Sequence, residues 1–186
     1  MKVALFGGSG FVGNYIVDEL LLVGHEPHVL VRPQNASKLL QADKCTVHSG
    51  HIEKETVIKE MLENADAVIY NIGLIRQFPK KGITFEKLHY EGVKRTVKLA
   101  ETAGVKRYIL MSANGVKMQG TPYQTTKYLA EQLLKNSTLD WTIFRPSLIF
   151  GDPRGTIEFC TQLKKDMLGL PIPAPLFFNG LIPKNA

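Results

Sequence analysis

Tyr123 and Lys127 stand four residues apart in the stretch TPYQTTKYLAEQLLK. On a helix that spacing projects both side chains from one face. A free phenol has a pKa near ~10, too high for efficient acid or base work at neutral pH. An ammonium on the same face lowers the tyrosine's proton affinity, so the pair suits proton transfer. Ser112 ends an apolar run upstream and offers a hydroxyl that can orient a substrate carbonyl. A second Tyr-x-x-x-Lys, Tyr90/Lys94, comes before Ser112 on the helix leading into that run. Tyr123/Lys127 instead opens the helix after it, beside the sheet edge where cofactors bind, and is the preferred pair.

A second chemistry is written at the amino end. Residues 2–13 read KVALFGGSGFVG: a short apolar run, a glycine-rich turn, then an amphipathic helix. Such a turn lets backbone N–H groups approach a pyrophosphate, and the helix N-terminus adds roughly half a positive charge. The backbone of Gly7, Ser9, Gly10, Phe11 and Val12 is the expected cradle. The plain alternative is a tight turn with no ligand.

The elements that must position these groups alternate regularly. Strands are expected at Val3–Phe6, His28–Arg32, Cys45–His48, Ala67–Asn71, Tyr108–Ser112 and Trp141–Arg145. Helices are expected at Phe11–Val23, Ala36–Ala42, Lys54–Glu63, Phe85–Ala103, Pro122–Lys135 and Thr156–Leu168. Strands apolar on both faces, joined by helices, imply an α/β fold with a parallel sheet covered on both sides. Right-handed crossovers then give a doubly wound, Rossmann-type sheet of order 3-2-1-4-5-6. Gly24 and Gly104 sit where helix ends want a left-handed residue. Trp141, Phe144 and Phe150 are expected in the core.

The chain divides near residue 152: a dinucleotide-binding domain over 1–152, then 153–186. The second part carries prolines at 171, 173, 175 and 183, which forbid a continuing helix. It reads as the start of a substrate-binding region, truncated at the C-terminus.

Bulk numbers exclude several classes. A length of 186 residues with 44% hydrophobic and 22% charged is ordinary for one globular domain. No apolar run approaches the ~20 residues of a membrane helix, and a strand beginning at Lys2 leaves no room for a cleavable signal. The expected location is cytoplasmic. Cys45 and Cys160 make no metal or redox spacing and read as small buried filler; no metal site is expected. The net charge of +6 suits anionic ligands, yet the lysines are scattered without a basic block, which argues against nucleic acid.

The chain resembles the short-chain dehydrogenase/reductase superfamily. Within it, the chain is most similar to atypical, extended-type members related to the nucleotide-binding accessory subunit of respiratory complex I. The resemblance rests on GGSGFVG at 7–13, ADAVIYNIG at 65–73 and HYEGVKRTVKLAETAGVKRYILMSANG at 89–115. YQTTK at 123–127 and LDWTIFRPSLIFGD at 139–152 complete it. Members of the superfamily usually continue for roughly another hundred residues, which supply much of the substrate pocket.

The second strand bears on the choice of coenzyme. An acidic residue ~20 positions beyond the glycines would take a ribose 2′-hydroxyl. This chain has none there; Arg32 instead can offer a donor fork to a 2′-phosphate, with Lys38 as a second cation. NADP(H) is therefore expected ahead of NAD(H), and the resemblance implies the same. The plain alternative is that Arg32 caps a strand and Lys38 faces water. Relatives often carry Gly-Asp where this chain has Gly50-His51, so adenine contacts are expected from backbone at His51 and from the Ile52 side chain. Asn71, Ile72 and Gly73 close the fourth strand where backbone must pass the cofactor ribose, and a small residue at 73 fits. The resemblance also implies that the turn at Pro146 lies beside the nicotinamide.

The mechanism that the resemblance implies is hydride transfer at the nicotinamide, with Tyr123 moving the matching proton. Lys127 would hold the ribose and tune Tyr123, and Ser112 would bond the substrate oxygen. His89, where many relatives carry an asparagine, is expected to be structural more than a proton relay. The expected function is an NADP(H)-dependent oxidoreductase or epimerase-like enzyme acting on a small carbonyl, hydroxyl or nucleotide-sugar substrate. A non-catalytic NADP(H)-binding sensor or accessory subunit is the alternative. Relatives often pair as homodimers through the helices here near 85–103 and 122–135.

Overall fold

A computed structural model describes residues 1–155 together with 160, 161 and 164. Six strands form one parallel sheet: β1 (Lys2–Phe6), β2 (Glu26–Val31), β3 (Thr46–Ser49), β4 (Ala67–Tyr70), β5 (Arg107–Met111) and β6 (Asp140–Phe144). Their order is β3-β2-β1-β4-β5-β6, as expected. β1 lies at the centre, with Leu5 beside Val29 on one flank and Ile69 on the other. Four of the six expected helices appear, as α1 (Phe11–Leu22), α2 (Glu55–Leu62), α3 (Gly92–Thr102) and α4 (Pro122–Lys135).

Two apolar layers sandwich the sheet. One joins Phe6, Ile58, Leu62, Tyr70, Val93, Tyr108 and Leu134 beneath α2, α3 and α4. The other joins Leu5, Val17, Val29, Val31 and Ile69 beneath α1. Burial of this kind contributes about 25 cal/mol per Å² of apolar surface.

Three expectations fail, each for a physical reason. The helix expected at Ala36–Ala42 is absent; the chain makes 3-10 turns at Pro33–Lys38 and Ala42–Lys44. Asn14 of α1, 2% exposed, intervenes. Its amide donates to the Lys38 carbonyl at 3.0 Å and accepts from the Leu40 N–H at 2.9 Å, taking groups a helix would have paired internally. The helix expected at Phe85–Ala103 begins instead with a π-helical turn at Glu86–Glu91. There the Tyr70 hydroxyl donates to the Leu88 carbonyl at 2.6 Å, opening the ladder. Gly92 makes room for it, since a Cβ there would lie 2.1 Å from the hydroxyl oxygen.

Third, Trp141 (38%), Phe144 (52%) and Phe150 (73%) are exposed, not core. β6 is the last strand of the described sheet, so nothing beyond it covers those rings among the described residues. Cys160 is likewise exposed, and Cys45 is half-buried. Of the expected helix at Thr156–Leu168, all but residues 160, 161 and 164 lie outside the described residues, as does the rest of 165–186.

After β6 the chain returns toward α1. The Tyr15 hydroxyl donates to the Asp152 carbonyl at 3.1 Å, and the Arg154 guanidinium stacks 3.8 Å over the Tyr15 ring while pairing with Asp18. No helix among the described residues is long and apolar enough to cross a membrane.

Candidate functional site

The glycine turn sits directly on the end of β4. Gly7 has φ +94, and a Cβ there would lie 2.8 Å from the Asn71 carbonyl carbon and 2.9 Å from the Ile72 nitrogen. A Cβ at Gly13 would stand 2.1 Å from the Gly7 oxygen, so α1 packs on the turn itself. Both positions exclude larger residues for steric reasons. Gly10 caps α1 without any side-chain hydrogen bond, and the first turn holds no acidic residue. The leading amides of α1, those of Phe11 and Val12 among them, therefore lack both an intrahelical acceptor and a cap. An anion at the helix's positive end fits this arrangement. Ser9 is half-buried in the turn, and Gly10 is exposed at its crest.

Across the same sheet edge, α4 presents Tyr123, Lys127 and Glu131 at successive four-residue steps. A Thr121–Gln124 capping box and Pro122 at the first turn fix where this helix starts. Lys127 is 4% exposed, and its Nζ donates to the Met111 carbonyl at 2.7 Å. A Cβ on Gly73 would lie 3.9 Å from that Nζ, an ordinary contact distance, so Gly73 adjoins the ammonium. Burial lowers Lys127 to about 8, against an upward pull from Glu131. Tyr123 is half-buried, with its ring edge-on to Phe85 at 5.5 Å and to His89 at 5.2 Å. Burial pushes its phenol up, opposite to the depression expected from the lysine. The Lys127 ammonium is directed to the Met111 carbonyl in this state.

Ser112 is 3% exposed and donates to Glu131 Oε1 at 2.5 Å. The same carboxylate receives Arg145 Nε on Oε1 at 2.9 Å and an Arg145 terminal nitrogen on Oε2 at 2.5 Å. Burial would raise Glu131, but hydrogen bonds from Arg145 and Ser112, then the charges of Arg145 and Lys135, hold it below the usual carboxylate range. In this state the Ser112 proton is committed inward, so the oxygen offers a ligand only lone pairs. Glu131 was not read from the sequence. Its signal was present: it continues the Tyr123–Lys127 stripe by one more turn.

His89 is 1% exposed in the π-helical turn. Its Nε2 accepts from the Leu74 N–H at 3.0 Å, which assigns the ring proton to Nδ1, 3.3 Å from the Thr126 hydroxyl oxygen. Burial, then the Lys127 charge, lower it to about 3. The ring is neutral at physiological pH and holds the loop after Gly73 against α4.

The remaining predicted residues divide. Arg32 and Lys38 are exposed on the β2–β3 connection; among the described residues no ion pair or hydrogen bond joins them to the Tyr123–Lys127 group. His51 is exposed. Ile52 is 5% exposed and belongs to the core, so its side chain is occupied there and only backbone is left for an adenine. Its carbonyl accepts from Arg95 at 3.3 Å. Pro146 extends the β5–β6 pairing, its carbonyl accepting from the Asn114 N–H at 2.8 Å.

A parallel 3-2-1-4-5-6 sheet with an uncapped glycine turn after its first strand defines a dinucleotide-binding protein of the Rossmann type. The chain belongs to the NAD(P)H-binding family, whose model matches residues 7–173. It is 28% identical over 146 residues to the photosystem II assembly factor Ycf39 of Synechocystis, covering 78% of this chain and 44% of that protein. It is also 28% identical over 152 residues to the mitochondrial NADH-ubiquinone oxidoreductase 40 kDa subunit of Neurospora crassa, covering 79% and 40%. The chain thus spans less than half the length of these two relatives. Among solved structures, a Bacillus halodurans protein assigned to the NAD-dependent epimerase/dehydratases superposes with a TM-score of 0.70 at 28% identity, covering 82% of this chain and 72% of that one.

Proposed function

We propose that this chain is the coenzyme-binding part of an NADP(H)-dependent oxidoreductase or epimerase-like enzyme acting on a small carbonyl or hydroxyl compound, nucleotide sugars included. One observation carries the reading: Lys127 Nζ lies beside Gly73, on the α4 stripe that also bears Tyr123, at the edge where the Gly7 turn meets Asn71 and Ile72. The amides of Ser9, Phe11 and Val12 would hold the pyrophosphate over Gly10, whose own N–H donates to the Gly7 carbonyl at 3.3 Å, and the backbone of 71–73 would flank the ribose. Exposed Arg32 and Lys38 would meet a 2′-phosphate, and Pro146 would border the nicotinamide. When bound, the coenzyme supplies or accepts the hydride. Tyr123 moves the matching proton at its hydroxyl, and Lys127 turns from Met111 to the ribose, bringing its charge to bear on the phenol. Ser112 bonds the substrate oxygen once its proton turns from Glu131 to that oxygen, beside the proton that Tyr123 handles.

The inward Ser112 and the raised Tyr123 favour a second reading, a coenzyme-binding protein without turnover. Two measurements separate these. Calorimetric titration is expected to show NADPH binding at least ~10-fold tighter than NADH, a ratio equivalent to ~1.4 kcal/mol; preference for NADH removes the role of Arg32. Tyr123→Phe is expected to abolish carbonyl reduction while leaving NADPH affinity within about twofold. Unchanged turnover in that variant refutes the catalytic assignment.

A further inference from the structure

We infer that the substrate site beside Tyr123 takes an amphiphilic anion: a molecule with an apolar body and a carboxylate, sulfate or phosphate group. The inference rests on the coenzyme-dependent reading above and adds the substrate's chemical class.

Two segments border Tyr123, residues 72–88 from β4 into the π-helical turn and residues 113–121 between β5 and α4. They carry the cations Arg76, Lys80, Lys81, Lys87 and Lys117 against a single carboxylate, Glu86. All five cations are exposed, and among the described residues none makes an ion pair. A positive field at one edge attracts anions and is not neutralised locally. Apolar side chains are interleaved with it: Ile75 is 58% exposed, Phe78 46% and Met118 64%. A sugar ring offers such groups little apolar surface, whereas an apolar body can cover all three.

Both connections are built against the site. In the first, the Phe78 N–H donates to the Ile83 carbonyl at 2.8 Å and the Ile83 N–H to the Phe78 carbonyl at 3.2 Å. That closes a small loop with Lys80 and Lys81 at its tip. The Leu74 N–H is held by His89, the Phe85 N–H donates to the Gln77 side chain at 2.9 Å, and Phe85 touches Tyr123. In the second, the Thr125 hydroxyl holds the Met118 carbonyl at 3.0 Å. The coenzyme does not account for these cations. Its phosphates belong to the Gly7 turn and to Arg32 and Lys38, while its nicotinamide end, which carries no negative charge, faces Tyr123.

The test uses the chain saturated with NADPH and two fluorescent probes sharing one aromatic body, 1-anilinonaphthalene-8-sulfonate and the neutral N-phenyl-1-naphthylamine. The sulfonate is expected to bind at least ~10-fold tighter at low ionic strength, with the advantage shrinking as salt rises. Lys80→Glu/Lys81→Glu, folded by circular dichroism, is expected to remove that advantage; Ile75→Ser/Phe78→Ser is expected to weaken both probes. Equal affinities, no sulfonate binding, or indifference to the lysine variant overturn the inference. So does displacement of the sulfonate by uridine diphosphate as readily as by dodecanoate, which would return the site to a nucleotide sugar. Sedimentation with phosphatidylglycerol but not phosphatidylcholine vesicles, without probe discrimination, also overturns it and assigns the patch to a membrane surface. Failure of NADPH to raise the melting temperature sinks the coenzyme reading. Coenzyme binding without probe discrimination sinks only the present inference.

Discussion

Glu131→Gln isolates the charge that ties α4 to the ends of β5 and β6. The substitution keeps volume and leaves an oxygen that can still accept from Ser112. It removes the carboxylate that receives two bonds from Arg145. Hydrogen bonds to charged groups contribute about 1.5–3 kcal/mol net. Removing one partner of a fully buried pair costs about 3–5 kcal/mol, because a charge is stranded. Here the carboxylate side chain is 0% exposed but the Arg145 side chain is 49% exposed, so the guanidinium can turn to water. The lower range applies, and the expected loss at pH 7 is about 2 kcal/mol. For a domain of this size that is a fall of about 4–8 °C in Tm.

The pH dependence sharpens the test. Glu131 is held below its usual value, so its contribution is fully present above the unfolded carboxylate pKa of ~4.3 and fades as pH falls through the lower folded value. Urea melts of both proteins between pH 3 and 8 are the assay. The difference should be constant from pH 5 to 8 and shrink below 4. A Gln variant as stable as the parent at pH 7, or a difference that persists undiminished at the acid end, would falsify the argument.

Two further outcomes follow from the same geometry. Gly7→Ala places a Cβ 2.8 Å from Asn71 at a left-handed φ, so Tm should fall by the equivalent of about 1–3 kcal/mol and the NADPH-induced Tm shift should vanish. Gly10→Ala, whose nearest neighbour would be an ordinary 3.5 Å away, should stay within ~0.5 kcal/mol of the parent; equal losses at both positions contradict the packing described. His89 stays neutral to about 3 when folded but protonates near ~6.5 when unfolded, so stability should decline progressively as pH drops through that window. His89→Asn should flatten this decline, and chemical denaturation at stepped pH would show whether it does.

The sheet was legible because its inner strands are short apolar runs and the connections carry punctuation, even though β3, Thr-Val-His-Ser, is largely exposed. That is also why Gly24 and Gly104 could be placed in advance as left-handed helix ends, and both adopt positive φ. Of the candidate site, the sequence showed only what fixed spacing dictates, that Tyr123 and Lys127 share one face of α4. What stayed hidden were polar side chains whose partners are distant in the chain. Asn14 takes backbone groups 24 and 26 residues away, replacing a helix that local pattern favoured. Tyr70 reaches Leu88 across 18 residues and converts the start of a helix to a π-turn. Glu131 gathers Ser112 and Arg145 from 19 and 14 residues away.

These three share a cause. Apolar periodicity reports which face of an element is buried, and burial is additive and non-directional. A buried polar group must instead find a particular partner with particular geometry, and nothing in its own neighbourhood names that partner. At Ser112 the consequence reaches chemistry: the hydroxyl's place at the strand end was readable, but the direction of its proton was set by a carboxylate one turn beyond the motif. The sequence therefore located the hydroxyl, and the fold decided which way its proton points.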